Sequence, residues 1–283
     1  VTTRVDAHLH LWDLHVRDQP WLAPDAPIRR DFGVADLRAA ADGTGIAAGV
    51  LVQVLNRTDE TEDLLRVAAG EPFIAGVVGW ADLTSAALAD ELARLTDLGP
   101  LVGVRHQLQA ERDPAGWLVR DDLSAGLAAL AAAGLPFDLM LRPPQLEAAR
   151  ECVRGHPDVQ FVVDHCGKPA ISSGDLREWR AGLAELAAAP NVVCKLSGLV
   201  NEAEHASWTV DQLRPVVDAV LERFGPQRTM FGSDWPVCLQ AATYRQVVDA
   251  VDLLIAPLTA AERAEVWSGT ACRVYSVEAT VTG

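Results

Sequence analysis

Short, nearly unbroken apolar segments recur along the chain at a regular beat. They are RVDAHLHLW (4–12), AAGVLVQVL (47–55), FIAGVVGWA (73–81), LVGVRHQL (101–108), PFDLMLRP (136–143), VQFVVDHCG (159–167), NVVCKLSG (191–198) and RTMFGSDWP (228–236). A strand that buries one face alternates apolar and polar residues, whereas runs as continuous as these belong to parallel strands covered on both faces. Between most of them lie alanine- and leucine-rich stretches with helical spacing, such as SAALADELARLTDLG, DLSAGLAALAAAG, EWRAGLAELAAAP and TVDQLRPVVDAVLERFG. Helix starts are marked by Thr84, Asp121 or Thr209 and stops by Gly99, Gly134 and Gly225. Eight strand-then-helix units without a linker or a shift in composition predict an α/β fold, a (β/α)8 TIM barrel forming a single domain over residues 1–283. A doubly wound open sheet is the competitor, but its first strand usually leads into a glycine-rich phosphate turn. Here the first strand ends in HLHLWD, and the glycine-rich DGTGIAAG (42–49) precedes a strand rather than a helix.

Composition narrows the picture further. A chain of 283 residues buries enough surface to fold without a disulfide or metal staple, and barrels of this size are routinely one unit. No apolar run approaches a membrane span of ~20 residues, and no charged-then-apolar leader precedes the first strand. Five cysteines without paired spacing suit reduced thiols and predict a cytoplasmic protein. A net charge of −15 argues against nucleic acid and anionic membrane as partners and says nothing about the reaction.

The barrel turns scattered polar residues into one constellation, because catalytic groups in such folds come from the C-terminal ends of the strands. With a period of two, Asp6, His8 and His10 share a face of the first strand. Later strands end with Arg105 and His106, Arg142, Asp164 and His165, Lys195 and Ser197, and Ser233 and Asp234. An inward His165 places Phe161 and Val163 beneath it, an inward Asp234 places Met230 and Gly232 beneath it, and Asp164 and His106 then face outward. Cys166 reads as a core thiol, and His15, His156 and His205 as surface residues. Lys195 is either a substrate cation or a structural charge paired with Asp6 or Asp138, and Asp234 either reacts or caps the SDWP turn. Three cations aimed at one mouth suit an oxygen-rich or anionic substrate. Trp12, Trp80 and Trp235 lie just past strand ends, where a flat ring face could pack on a substrate.

An HxH pair ending strand one, a histidine late in the barrel and an aspartate ending strand eight resemble the amidohydrolase superfamily. VDAHLHLWD, GVRHQLQ, FDLMLRP, VVDHCGKP, KLSGL and MFGSDWP, in that order, are similar to its lactonase branch over residues 4 to about 275. The resemblance implies hydrolysis of a small sugar-acid or dicarboxylic lactone. Asp234 would be general base and later proton donor, His165 would orient water, and His8, His10 or a metal held by His8, His10 and Asp234 would polarise the carbonyl. Arg105, Arg142 and Lys195 would meet substrate oxygens. Many relatives in the superfamily add a strand-five histidine to the metal site, where this chain has Met140, Leu141 and Arg142. One divalent metal, zinc first, and a metal-independent site in which a guanidinium from Arg142 replaces part of its charge are both open. Zinc-dependent decarboxylation or amide hydrolysis, and a non-catalytic ligand-binding barrel, are the alternative functions.

Overall fold

A computed structural model describes residues 3–278. Strands β1 (Arg4–Leu9), β2 (Ile46–Val52), β3 (Ile74–Gly79), β4 (Leu101–His106), β5 (Phe137–Leu139), β6 (Phe161–Val163), β7 (Val192–Leu196) and β8 (Thr229–Phe231) run parallel in the spatial order of their sequence. The ring closes just beyond β8, where Leu9 bridges Trp235, the His10 amide donates to the Trp235 carbonyl (2.7 Å) and the Asp234 amide to the His8 carbonyl (2.9 Å). The seam of the barrel is therefore made by HLH and SDW.

The helices are α1 (Val34–Ala41), α2 (Thr58–Gly70), α3 (Leu88–Leu98), α4 (Pro114–Leu118), α5 (Leu123–Ala133), α6 (Leu146–Gly155), α7 (Arg177–Ala187), α8 (Leu199–Glu202), α9 (Val210–Phe224), α10 (Tyr244–Leu254), α11 (Ala260–Ala264) and α12 (Thr270–Tyr275), and the longer ones cover the outside. α9 starts where the Thr209 side chain and Gln212 exchange capping hydrogen bonds and stops at Gly225, whose φ of 72° a side chain would resist. The thick outer layer packs helix residues such as Leu64, Leu127, Leu130, Val216 and Val220 against Leu51, Val104, Phe137, Phe161 and Phe231 of the strands. Burying each such side chain contributes roughly 1.5–3 kcal/mol.

A second, smaller cluster fills the barrel itself: Val5, Ala7, Ala48, Val50, Val52, Val78, Val162, Val193 and Met230, with Ala271 and Tyr275 of α12 plugging the lower end. This inner list corrects two readings. On β6 the inner residue is Val162, while Phe161 and Val163 pack outward with the helices, so Asp164 points in. On β1 the inner residues are Val5 and Ala7, so Asp6 does not share a face with His8. A bulge is the cause: Asp6 pairs with Gly49 and Leu9 with Leu51, three residues of advance against two.

Candidate active site

The bulge makes Asp6 a brace rather than a reactive group. Its carboxylate accepts the amides of His8 (3.0 Å) and Ser233 (2.9 Å) and the Tyr244 hydroxyl of α10 (2.8 Å), tying β1 to the β8 seam. The bulge then turns His8 inward, beside His10. The His10 Nδ1–H donates to the Val52 carbonyl (2.7 Å), which leaves its Nε2 as an acceptor, 3.2 Å from His8 Nε2 and 3.3 Å from Asp234 Oδ1. His8 Nε2 lies 3.9 Å from the same carboxylate oxygen. Space for this comes from Gly232, where a Cβ would stand 2.6 Å from that of His8.

Asp234 occupies the left-handed region (φ 58°), and its second oxygen accepts from the Asn201 amide (3.3 Å) at α8. His165 and Cys166 are also left-handed (φ 52° and 54°). This breaks the strand period, so Asp164 and His165 both reach the interior although they are sequence neighbours. Cys166 is buried, its thiol on the Lys195 carbonyl (3.3 Å).

Beneath the imidazoles lies a fully buried ionic network. Lys195 Nζ sits 2.6 Å from Asp138 Oδ2 and 3.0 Å from Asp164 Oδ1, and 3.3 Å from His8 Nδ1. Arg105 holds the other Asp164 oxygen (3.0 Å) and its Nη1 lies 3.3 Å from His8 Nε2. Tyr275 donates to Asp138 from below (2.7 Å). Burial pushes Asp164 up, but Lys195, His8 and Arg105 outweigh it and hold the carboxyl well below its usual range. Burial raises Asp138 to about 6 against the pull of Lys195. Burial likewise pushes His8 well down and His165 down to about 4, so both are neutral imidazoles at pH 7. Asp234 is pushed up by burial, yet the surrounding His165, His10 and His8 hold it below the usual carboxylate range, ionised.

A cavity of about 430 Å³ opens above this cluster. His10, His165, Asp234 and Arg105 form its floor, Asn56, Gln107, Gln109 and Lys168 its polar wall, and Trp21, Val54, Leu55, Met140 and Val237 its apolar wall. The structure thus brings together His8, His10, His165, Asp234 and Arg105. It does not bring the other expected residues to the cavity. Lys195, on the inner face of β7 with Val193, is sealed behind His8 and paired with Asp138. Arg142 is exposed beyond the short β5, and Met140 takes the wall position. Trp12 is buried, donating to the Arg30 carbonyl (2.7 Å) and edged by Phe32, and Trp235 is buried against the same Phe32. Trp80 turns to His106 (3.1 Å). Among the residues that sequence reasoning did not single out are Trp21 of the wall, in a loop without periodicity, Lys168 of the wall, which stands in the quoted VVDHCGKP itself, and Asn201, which holds Asp234.

Among the described residues, two sets of three ligand-type side chains converge within 4.8 Å, His8–His10–Asp234 and His8–Asp164–His165. The first set suits a divalent metal: two imidazole nitrogens and a carboxylate oxygen lie within reach of one ion, with His10 and Asp234 open to the cavity from which water would complete the coordination. In the second, Asp164 is already engaged by Lys195 and Arg105.

A parallel eight-stranded barrel whose first and last strands deliver two imidazoles and a carboxylate to one point defines a class, the (β/α)8 barrels with a His/Asp centre at the mouth. Within it, residues 5–277 match the family described as amidohydrolase, and the chain belongs to that family. It is 41% identical over 285 residues to L-fucono-1,5-lactonase of Burkholderia multivorans (97% of this chain, 96% of the relative). It is 36% identical over 288 residues to L-fucono-1,5-lactonase of Burkholderia ambifaria (98% and 97%). A crystal structure of an amidohydrolase from Burkholderia multivorans with bound zinc shares 40% identity and superposes with a TM-score of 0.93, covering 97% of this chain and 99% of that one.

Proposed function

We propose that this protein is a lactone hydrolase that opens the ring of a small sugar-acid lactone with water activated at Asp234. The observation that carries the reading is the convergence of Asp234, His10 and His165 on the floor of a cavity of about 430 Å³, with His8 directly behind them, within the size range of small-molecule sites. The L-fucono-1,5-lactonase relatives, matched over nearly their whole length, support it.

Ring opening needs a nucleophilic water, a stabiliser for the carbonyl oxygen and a proton for the departing alkoxide. Asp234 is ionised, and its Oδ2 is steadied by Asn201 while Oδ1 faces the histidines. It takes the proton of water as the carbonyl is attacked and returns it to the alkoxide. His165, fixed through Nδ1 by Ser197 Oγ (2.9 Å) and neutral, presents Nε2 to orient the water or to donate to the developing oxyanion. A zinc ion held by His8, His10 and Asp234 would supply Lewis-acid polarisation of the carbonyl and a more acidic water. Metal-independent turnover is the second reading, favoured by Arg105: its Nη1, 3.3 Å from His8 Nε2, puts a guanidinium where Arg142 was expected.

The cations near the cavity are already matched, Arg105 by Asp164 and Lys168 by Glu202 (3.7 Å), which favours a neutral polyhydroxy lactone over a dicarboxylic one. Asn56, Gln107 and Gln109 supply amide partners for hydroxyls. Decarboxylation and amide hydrolysis are less suited to a site without the strand-five histidine. Among the described residues no helix is long and apolar enough to cross a membrane, in keeping with action on a soluble metabolite as a single-domain enzyme in the cytoplasm. The test is acid release from a panel of aldonolactones and muconolactones by chelator-treated and zinc-supplemented protein. Turnover of the neutral aldonolactones is expected, and failure of every lactone would leave the decarboxylase or amide-hydrolase reading.

A further inference from the structure

His106 stands next to Arg105 but faces the other way, and it gathers side chains from three loops at the mouth. The Trp80 indole N–H, just past β3, donates to its Nδ1 (3.1 Å). Its Nε2 lies 2.8 Å from Glu111 in the loop after β4 and 3.3 Å from the Asn56 amide in the loop after β2. The ring stacks on Trp117 of α4, centroids 4.0 Å apart and planes within 15°. Asn56 in turn accepts the Gln107 amide (2.7 Å), and Asn56, Gln107, Gln109 and Ala110 are cavity wall.

An indole N–H can only donate. The bond to Nδ1 therefore requires an unprotonated Nδ1, which makes Nε2–H the donor to Glu111. The charged and titratable groups facing the ring are Glu111, Asp82 and Arg120. Burial lowers the His106 pKa, and Glu111 and Asp82 oppose that.

We propose that His106 is a positioning residue for substrate binding: as a neutral imidazole it pins the loops after β3 and β4 together, and because Asn56 of the loop after β2 is held to the same β4 loop through the Gln107 amide, it sets the amide wall of the cavity. Protonation would place a second hydrogen against the Trp80 N–H and release that pin, so substrate affinity falls as the pH drops below the ordinary histidine range. The inference rests on the lactonase reading only where turnover is its readout.

Two variants and two readouts test it. His106→Phe keeps the stack on Trp117 and loses both hydrogen bonds, whereas Trp80→Phe removes only the donor to Nδ1. The expected result for His106→Phe is a KM raised about tenfold with kcat within about threefold, the signature of lost binding without lost chemistry. Limited trypsin digestion at the exposed Arg112 and Arg120 reports the loop without any substrate, and cleavage, measured relative to an unstructured reference peptide at the same pH, is expected to accelerate in His106→Phe and, in wild-type protein, as the pH falls from 7 toward 5. Trp80→Phe should show faster cleavage at pH 7 and a weaker acid dependence. Unchanged digestion in both variants would overturn the proposal whatever the substrate. Equal loss of kcat in His106→Phe with an unchanged KM would overturn it too, marking general damage. Wild-type protein that opens no lactone, yet shows the expected digestion pattern, would sink the lactonase reading and leave the pin standing.

Discussion

Lys195 sits at the centre of the barrel with a carboxylate on either side, Asp138 at 2.6 Å and Asp164 at 3.0 Å, and no exposed surface. A substrate in the cavity above does not reach it. Its place is to neutralise two buried carboxylates and to hold Asp164 against His8, which fixes the imidazole. Truncating one partner of such a cluster leaves charge uncompensated in a dry environment, so Lys195→Met is expected to destabilise the protein by about 3–5 kcal/mol in urea unfolding. A loss below about 1 kcal/mol would mean that water or a rearranged side chain takes over the charge. The same crowding explains why His8 and His165 are neutral: burial and neighbouring cations remove the charged form, leaving lone pairs for a metal or for water.

At the scale of elements, α2 shows how a helix start serves the loop before it. Glu60 in its first turn accepts the Val54 (3.0 Å) and Leu55 (2.7 Å) amides of the cavity wall, and burial raises its pKa to about 7. A carboxyl whose folded pKa is raised binds more protons folded than unfolded. Its stabilisation is complete below the unfolded pKa near 4.5 and is lost as the pH rises through about 7. Wild-type protein should therefore lose on the order of 3 kcal/mol relative to Glu60→Gln between pH 4.5 and pH 8, measured by urea unfolding of both. Parallel pH profiles for the two proteins would contradict this.

Elements also show what the sequence made legible. Eight nearly continuous apolar runs separated by helical spacing point to parallel strands covered on both faces, and the count of eight units with HLHLWD in place of a glycine-rich turn after the first favours the barrel over an open sheet. Strand ends then located His8, His10, His165, Asp234 and Arg105. Side-chain direction was less legible. A period of two assumes a regular strand, and β1 carries a bulge while β6 ends after three residues in left-handed backbone at His165 and Cys166. Asp6 and Asp164 were misdirected for that reason. Trp12 and Trp235 were misplaced because proximity to a strand end does not say whether a ring faces the mouth or the layer beneath the loop. Trp21 stands in a loop whose path is set by packing on Trp12, a tertiary contact with no local signal.

At the scale of the whole molecule, the closing seam and the His/Asp cluster are the same residues. His8 and His10 on β1 meet Asp234 beyond β8 where the sheet joins itself. An ion held there would clamp the first strand to the last and stabilise the barrel by mass action. Zinc at a hundredfold excess over its Kd is expected to raise the Tm of chelator-treated protein by about 5 °C or more, and His10→Ala should abolish the rise. An equal rise in the variant would place the ion elsewhere. The far end of the barrel is closed by α12, whose Tyr275 reaches Asp138, so the ionic network links the plug to the floor of the cavity.

The most direct measurement is the rate of acid release from L-fucono-1,5-lactone by wild-type protein and by Asp234→Asn at matched metal content. Turnover by wild-type protein that falls at least about 100-fold in the variant is expected, because the amide can neither take the proton of water nor return it to the alkoxide. Equal turnover by the two proteins would contradict the assignment of Asp234 to the proton transfers, and its absence from both would remove this sugar-acid lactone as a substrate.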